Sequence, residues 1–425
     1  MKCLLCFLED DFHADLRAEA QTSSRHERVL KVYRDRFIEE FNRLGSANDC
    51  PSHRDTPEQF RWWIDRLLAK IQTLDASGIL GRLIAIYEAW ISGHLSQAGE
   101  VLDRLLKDFG LDNRPTKKLD KVLLFRGRKG NLTKYDLLHI PFDKRHCISN
   151  QRYSLSGQPL LYLGLSILDV VCELRGDPTA IADFSFSYFW LRDPNKIRVL
   201  DTSNELRHTI LNNLLAIING GANVRAASAE NPTFSPDHQT YSDAFVTFVV
   251  ASLCSFKRKE VTANDKFAPE YVLPQLMAAW ARVNGYDGIL YSSTRIDPER
   301  WRMQGSLKLN RYRENVAFFT NFDPASDDEH DSGLLDRFEI SEPVRLSGAA
   351  AISDGDLLAL RKRIVTSGNA PSLTQLAQVS GIDIDVAFND LVLIEPPGRI
   401  VPYPQTDCGK LQRHLQFEFM KRRAT

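Results

Sequence analysis

Arg152 and Glu173, twenty-one residues apart, are the two residues of this chain best suited to do chemistry together. Arg152 stands in a polar loop, and its guanidinium presents a planar fork of donors that suits phosphate oxygens. Glu173 ends the apolar stretch ILDVVCE. An ionised carboxylate against a core destabilises the fold unless it is paired or used. Glu173 is therefore either paired with a cation such as Arg175 or part of a binding site.

The sequence between Arg152 and Glu173 predicts a turn, a strand and a helix. Gly157 and Pro159 are typical turn residues, and the apolar run after them predicts a strand ending near Tyr162. Eleven residues separate Tyr162 from Glu173, which is enough for a turn and about two helical turns. Because Cys172 belongs to the apolar face of this helix, we expect Glu173 to lie next to a buried surface.

Residues 1–115 have the pattern of a helical bundle. In ERVLKVYRDRFIEEFNRL, apolar residues recur at the three- and four-residue spacing of an amphipathic helix: Val29, Val32, Tyr33, Phe37, Phe41 and Leu44. A second such helix is expected to start with Thr56 as its N-cap and Pro57 as its first residue. Gly110 is expected to end the last helix. Such bundles usually mediate partner binding or assembly.

The rest of the chain predicts an α+β fold in three parts. Residues 120–322 alternate short apolar runs with helical segments such as LRHTILNNLLAII, which indicates a mixed α/β domain. Neither GxGxxG nor GxxxxGK[ST] lies on a strand-to-helix turn, so a Rossmann or P-loop site is not supported. The acidic stretch 323–333 is typical of a linker. Residues 334–425 are expected to form a small, mostly helical C-terminal extension.

The C-terminal segment SLTQLAQVSGIDIDVAFNDLVLIE has the length of a helix-turn-helix. No Lys or Arg occurs between Arg363 and Arg399, so a reading helix here would lack donors for phosphates and guanines. The formal net charge of −1 gives no overall attraction to nucleic acid or to an anionic membrane. We therefore expect no membrane partner and do not favour nucleic acid, and a nucleic-acid-associated regulator that uses this segment stays a third alternative for the function.

The composition predicts a reduced, cytoplasmic protein. Apolar residues make up 43% and charged residues 26% of the 425 residues, as in a globular protein with a substantial core. The run CLLCFL near the N-terminus is far too short for a signal peptide or a membrane span. Seven cysteines in a chain of this length do not make a disulfide scaffold.

Two short pairs could together bind zinc. Cys3-x-x-Cys6 and Cys50-x-x-His53 supply the donor set of a closed tetrahedral site with three thiolates and one imidazole. The gap of about forty residues between the pairs is longer than most zinc modules use. Cys3 and Cys6 also stand in an apolar stretch, where buried thiols without a metal are common. Both a structural zinc site and a pair of core thiols remain open.

The region around Arg152 resembles the RES domain, a family named for its conserved arginine, glutamate and serine. The family has an arginine in a turn, then G-x-P-x-x-Y, then a helix ending in glutamate; a later strand reads G-[IL]-x-Y-x-S-x-R. The matching residues, within roughly residues 120–320, are Arg152, Gly157, Pro159, Tyr162 and Glu173, then Gly288, Ile289, Tyr291, Ser293 and Arg295. LFRGRK with Arg126 and ENVAFF with Asn315 resemble the opening and closing strands. The Arg152 turn lacks the Trp-Asn of many members, and about 120 residues separate Glu173 from Ser293.

The resemblance implies a fold distantly shared with ADP-ribosyltransferase toxins and an activity on NAD. Nicotinamide leaves NAD as a neutral molecule, so the barrier lies in the oxocarbenium-like sugar. Arg152, with Arg126 as a second choice, would clamp the pyrophosphate, and Tyr162 would offer a stacking face. Glu173 would stabilise the charge on the sugar, and Ser293 would donate a hydrogen bond to ribose or phosphate. Further substrate contacts are expected from Tyr291, Arg295 and Asn315.

The acceptor of the sugar is not fixed by these residues. Water would give NAD hydrolysis, inorganic phosphate would give phosphorolysis, and a protein side chain would give ADP-ribosylation. RES proteins are mostly toxins, many neutralised by an antitoxin, so a toxin-like effector that depletes NAD and has an antitoxin or regulatory partner is expected. The N-terminal bundle resembles the HEPN-like extensions of longer members and could form a homo-oligomer. The alternative is a non-catalytic nucleotide-binding protein, which NAD would stabilise without turnover.

Overall fold

The computed structural model describes residues 1–113, 119, 122–203, 210, 238–259, 267–297, 299–303, 310–353, 355–357, 359–360, 391–396 and 398–424. The chain forms two compact units: one consists of Met1–Pro115 and Asp201–Asn284, the other of Thr116–Leu200 and Gly285–Thr425. Each unit thus combines segments that are far apart in sequence, and the three-part division along the chain stays a prediction. The LRHTILNNLLAII helix and most of the helix-turn-helix segment lie outside the described residues.

Helices dominate the first unit. In chain order, the described α-helices are α1 Leu4–Phe7, α2 Asp10–Ala20, α3 His26–Asn42, α4 Glu58–Ile71, α5 Ala76–Ile91, α6 Leu95–Asp108, α7 Ile167–Glu173, α8 His238–Cys254, α9 Val272–Val283, α10 Ser332–Asp336 and α11 Asp407–Ala424. Helices α1–α6, α8 and α9 belong to the first unit. Within the described segments, no helix combines the length and the apolar character that crossing a membrane would require.

Helix α3 has the predicted amphipathic pattern, with one residue out of place. Its buried apolar residues are Val29, Leu30, Tyr33, Phe37 and Phe41. Val32, which was predicted on this face, is 42% exposed. Residues advance by about 100° around a helix, which puts Leu30 inside the arc of the other four residues and Val32 outside it.

The start of α4 differs from the prediction by one position. Pro57 is the N-cap, with extended backbone angles of φ −53° and ψ 142°, and the helix begins at Glu58. Thr56 does not cap the helix; its hydroxyl donates a hydrogen bond of 2.6 Å to the His53 carbonyl. At the other end of the bundle, Gly110 follows α6 with a φ of +67°, as expected for a glycine that ends a helix.

The second unit is built on a sheet, which confirms the α+β fold. The described strands are β1 Leu124–Lys129, β2 Leu160–Gly164, β3 Phe184–Leu191, β4 Val199–Asp201, β5 Gly288–Ser292, β6 Trp301–Met303, β7 Glu314–Phe319, β8 Phe338–Ile340, β9 Val344–Arg345, β10 Leu391–Glu395 and β11 Arg399–Pro402. Eight of them form one sheet in the order β4-β5-β7-β2-β1-β3-β8, with β9 also paired to β3. Strands β11, β10 and β6 form a second, three-stranded sheet.

Both faces of the large sheet are covered. Alternation along a strand sends neighbouring side chains to opposite faces, so Leu124 and Phe125 of β1 belong to two different clusters of buried residues. On the Phe125 side, α7 and α11 pack against the sheet and against each other. Gln412 of α11 accepts a hydrogen bond of 3.0 Å from the Ile167 amide at the start of α7. The C-terminal helix thereby supports the helix that carries Glu173.

Candidate functional site

Helix α7 presents Glu173 as its last residue. Ser166 caps the other end of this short helix, and its hydroxyl accepts a hydrogen bond of 3.0 Å from the Asp169 amide. The same hydroxyl donates a hydrogen bond of 2.9 Å to the carbonyl of Tyr312, just before β7. A serine that contacts both segments therefore fixes where α7 starts, and the length of α7 fixes where Glu173 lies.

Gly164, the last residue of β2, lets α7 and β7 approach closely. A Cβ at this position would lie 2.8 Å from Val170 Cγ2 and 3.1 Å from Asn315 Oδ1. Asn315 of β7 pairs in register with Gly164 on one side and with Tyr291 of β5 on the other. The glycine thus allows the side chain of Asn315 to lie over the strand end from which α7 departs.

Three side chains from other segments converge on the carboxylate of Glu173. Ser293 Oγ donates a hydrogen bond of 2.7 Å to Oε1, and Asn315 Nδ2 lies 3.5 Å from the same oxygen. Arg295 Nε lies 3.4 Å from Oε2. Glu173 therefore has a cationic partner, as one sequence hypothesis required, but the cation is Arg295 and not the neighbouring Arg175. Glu173 is 31% exposed, so its carboxylate is also open to a ligand.

Arg152 reaches the same cluster through the residue after Ser293. Its Nη2 donates a hydrogen bond of 2.7 Å to the hydroxyl of Thr294, 142 residues later in the chain. The loop that carries Arg152 is closed by a backbone bridge between Gln151 and Ser154. The structure thus brings together five of the residues predicted for the site: Arg152, Glu173, Ser293, Arg295 and Asn315.

Arg126 and Tyr162 are joined to each other. Nη1 of Arg126 in β1 donates a hydrogen bond of 2.7 Å to the Tyr162 carbonyl in β2. Burial, with a smaller effect from Arg128, lowers the pKa of Arg126 to about 10, so the guanidinium is still charged at neutral pH. Its Nε is buried and has no hydrogen-bond partner among the described residues. The Tyr162 ring is half-buried, and its hydroxyl lies 3.5 Å from Ser154 Oγ.

Tyr291 is a buried residue of β5 rather than an open surface for a ligand. It is 4% exposed, and its ring centroid lies 4.5 Å from that of Tyr153. Burial raises the pKa of the Tyr291 phenol well above its usual value, and the charge of Glu173 adds to this effect. The phenol is therefore neutral over the physiological pH range.

Two residues of the cluster were not predicted from the sequence. Asp169 is fully buried one helical turn before Glu173, a four-residue spacing that puts both on one face of α7 and that could have revealed it. Burial raises the pKa of Asp169 well above its usual value, and the charge of Glu173 raises it further. Thr294, which accepts the Arg152 hydrogen bond, carries no such signal in the sequence.

The two predicted half-sites for a metal come together in the first unit. The ligand atoms of Cys3, Cys6, Cys50 and His53 all lie within 4.8 Å of one another. His53 Nδ1 is 3.3 Å from the Cys3 sulfur, 3.5 Å from that of Cys6 and 3.6 Å from that of Cys50. The Cys6 and Cys50 sulfurs are 3.6 Å apart. Tetrahedral zinc, with Zn–S of about 2.3 Å, requires sulfurs about 3.8 Å apart, so this cluster has the dimensions to hold a metal ion.

The chain is similar to a bacterial protein named as a toxin. It is 31% identical over 231 residues to "Putative toxin YopC" of Bacillus subtilis (strain 168). The shared segment is 52% of this chain and 45% of that protein, so the chain spans about half the length of this curated relative. No family model matches the chain, and no solved structure matches it. The similarity supports a toxin-like protein, while the RES resemblance depends on the residues named above.

Proposed function

We propose that this protein is a toxin-like effector that cleaves the bond between nicotinamide and ribose in NAD. The observation that carries the proposal is the convergence of Ser293, Asn315 and Arg295 on the Glu173 carboxylate. These are residues for which the RES resemblance implies contacts with NAD. The similarity to a protein named as a toxin supports the same general role.

In this proposal Glu173 supplies the negative charge that the reaction needs. As the glycosidic bond stretches, positive charge develops on the sugar, and a fixed carboxylate stabilises it more than it stabilises the ground state. Ser293 and Asn315 hold Oε1 by hydrogen bonds, so the carboxylate does not have to reorganise when the charge develops. Nicotinamide departs neutral, which removes the need for a residue that protonates the leaving group.

Arg152 and Arg295 bind the pyrophosphate in this proposal. Both guanidiniums now contact protein groups, Thr294 and Glu173 respectively. An ion pair about 30% exposed on both sides, as that of Arg295 is, contributes only about 0–1 kcal/mol, so a phosphate can replace the carboxylate at little cost. Arg126 is bound to the Tyr162 carbonyl and has one unused buried donor, and it serves as a second phosphate contact.

The products of the reaction identify the acceptor. Incubation with NAD, with and without inorganic phosphate, followed by mass spectrometry should give nicotinamide plus ADP-ribose for hydrolysis, or a phosphorylated ADP-ribose for phosphorolysis. A mass gain on a protein would instead indicate ADP-ribosylation. Thermal stabilisation by NAD without release of nicotinamide would overturn the proposal in favour of a non-catalytic binding protein.

A matched pair of variants separates the site from the rest of the fold. Arg152→Ala should lose most nicotinamide release, whereas Arg399→Ala should keep it, because Arg399 belongs to an exposed ion pair with Glu395 in the small sheet. Equal activity of the two variants would contradict the role of Arg152. The proposed partners are an antitoxin or another regulatory protein, together with a second copy of the chain in a homo-oligomer.

We also propose that Cys3, Cys6, Cys50 and His53 hold one zinc ion with a structural role. Three thiolates and one imidazole fill a tetrahedral site, so no position is open for a substrate or water. The ligands come from the start of α1 and from the loop before α4, which a shared ion would join. Loss of the ion would separate these segments and lower the melting temperature.

Elemental analysis of the purified protein tests this zinc site. About one zinc per chain is expected in the wild type, and much less in Cys50→Ser. Cys147→Ser is the matched control, since Cys147 is an exposed free cysteine outside the cluster. Equal zinc contents in both variants, or no zinc in the wild type after purification without chelators, would overturn the assignment.

A further inference from the structure

Neither the sequence pattern nor the RES resemblance supplies a role for Asp169. It is fully buried in α7, and neither of its carboxylate oxygens has a hydrogen-bond partner among the described residues. An ionised carboxylate in such a place loses its hydration without any compensation. A protonated carboxyl group avoids most of this cost, because it carries no net charge.

The two carboxyl groups of α7 have opposite surroundings. Glu173 receives the Ser293 hydroxyl, the Asn315 amide and the Arg295 guanidinium, all of which stabilise a negative charge. Neither carboxylate oxygen of Asp169, four residues earlier and on the same face, has a hydrogen-bond partner among the described residues. The Ser293 hydroxyl lies close enough to oppose the rise in the pKa of Asp169, but it donates its hydrogen bond to Glu173. When two neighbouring carboxyl groups differ in this way, the one with the donors ionises first and its charge keeps the proton on the other.

Other charged and titratable groups near Asp169 do not cancel this difference. Burial is the main reason that the pKa of Asp169 lies well above its usual value, followed by the charge of Glu173. The Ser293 hydroxyl and then Arg313 oppose this rise, and Glu314 adds to it. Burial is the main cause that raises the pKa of Cys172 on the same helix and of Tyr291 on β5, and both of these groups stay neutral.

We propose that Asp169 and Glu173 hold one proton between them, carried by Asp169, so that Glu173 is the ionised carboxylate of the pair. Asp169 is then a positioning residue that acts through Glu173. It fills the buried end of the site with a neutral group of small volume and leaves the single negative charge at the exposed end.

The consequence for catalysis rests on the proposed function. With Asp169 neutral, the Ser293 hydroxyl donates its hydrogen bond to Glu173, whose charge faces the sugar of NAD. When Asp169 loses its proton as the pH rises, a second negative charge is buried one turn away, and the contacts of Glu173 are disturbed. The rate of nicotinamide release should therefore fall as the pH rises through the pKa of Asp169, and Asp169→Asn should remove this fall.

A test that needs no NAD is the pH dependence of unfolding. A carboxyl group whose pKa is raised in the folded state stabilises the protein at low pH, and this contribution is lost as the pH rises towards the folded pKa. The unfolding constant of the wild type should therefore increase relative to that of Asp169→Asn by up to tenfold per pH unit above about pH 5. Asp136→Asn is the control: hydrogen bonds from Thr133 lower the pKa of Asp136, so it is ionised in both states over this range.

A second measurement keeps the proposal testable if Asp169→Asn does not fold. Infrared spectroscopy of the wild type at pH 7 should show the carbonyl band of a protonated carboxylic acid. The absence of this band, or parallel stability curves for wild type and Asp169→Asn from pH 5 to 8, would overturn the proposal. Neither result depends on NAD cleavage, so failure of this inference is distinguishable from failure of the proposed function.

Discussion

The hydroxyl of Ser293 donates a hydrogen bond of 2.7 Å to Oε1 of Glu173, although the two residues are 120 positions apart. Ser293 directly follows β5, and Glu173 is the last residue of α7, the helix that begins after β2 with Ser166 as its N-cap. Between them lies β7, which pairs with both strands and contributes Asn315. The contact therefore depends on correct pairing of three neighbouring strands. A variant that lacks this hydrogen bond tests the geometry of the site more directly than a measurement of overall stability does.

Removal of this hydrogen bond should slow catalysis without unfolding the protein. Ser293→Ala leaves Glu173 with the Asn315 and Arg295 contacts but without its shortest hydrogen bond. A hydrogen bond to a charged group contributes about 1.5–3 kcal/mol, which corresponds to a loss of roughly 10- to 150-fold in kcat/KM for NAD. Ser156→Ala in the exposed loop is the control. A kcat/KM for Ser293→Ala within twofold of that of the wild type would contradict this role.

Arg152 should contribute through the shape of its guanidinium and not through charge alone. Arg152→Lys keeps the charge but loses the planar fork that binds two phosphate oxygens at once. We expect KM for NAD to rise by about tenfold, while kcat falls less, because pyrophosphate binding is similar in the ground and transition states. Steady-state kinetics of Arg152→Lys beside Arg399→Lys test this. Equal KM values for the two variants would argue against a phosphate contact.

Gly164 should be intolerant of even a methyl group. In Gly164→Ala the new Cβ would lie 2.8 Å from Val170 Cγ2 and 3.1 Å from Asn315 Oδ1, so α7 or Asn315 must move. We expect a loss of about 1–3 kcal/mol in the free energy of unfolding, together with lower activity. Gly348→Ala is the matched control, because no atom lies within 4 Å of a Cβ at that position. Chemical denaturation of both variants tests this, and equal stability would contradict the close packing.

His139 should account for part of the decrease in the free energy of unfolding as the pH falls. This histidine is 2% exposed, and its Nε2 accepts a hydrogen bond of 2.9 Å from the Asp331 amide, which requires an unprotonated nitrogen. Burial is the main cause that lowers the pKa of His139 to about 4. The unfolded state therefore binds more protons than the native state between pH 6.5 and 4, and up to about 3 kcal/mol is lost as the pH falls through this window.

His139→Gln should lack this part of the acid loss, so its stability curve should converge with that of the wild type between pH 6.5 and 4. His146→Gln, at an exposed histidine, is the control. Urea denaturation at several pH values measures the difference. If His139→Gln and wild type lose stability in parallel over this range, His139 is not the group responsible.

The residue types at the site could be predicted from the sequence, whereas their contacts could not. The residues from Gly157 to Glu173 predict a turn, a strand and a helix, because glycine and proline are typical of turns and apolar residues recur with different periods in strands and helices. That Arg152 would bond Thr294, or that the partner of Glu173 would be Arg295 and not Arg175, depends on the order β5-β7-β2 in the sheet. Strand order is set by long-range packing, which leaves no local pattern in the sequence.

The burial of individual polar side chains is the property that the sequence patterns predict least well. The sequence does not indicate that Asp169 is buried, because an aspartate in a short helix is usually exposed; its burial comes from the packing of α7 between the sheet and α11. The Cys3-x-x-Cys6 and Cys50-x-x-His53 pairs were recognisable as half-sites, but the fold of the first unit decides that they meet. The exposure of Val32 and the N-cap at Pro57 instead of Thr56 both differ from the prediction, because a periodic pattern does not fix the position of a single residue.

The initial rate of nicotinamide release from NAD by wild type, Glu173→Gln and Glu395→Gln is the most direct measurement. Glu173→Gln keeps the shape of the side chain and removes the charge proposed to stabilise the sugar, whereas Glu395 pairs with Arg399 in the small sheet. We expect release by the wild type and by Glu395→Gln at similar rates, and a loss of at least about 100-fold in Glu173→Gln. No release by the wild type, or equal rates for all three proteins, would contradict the proposed function.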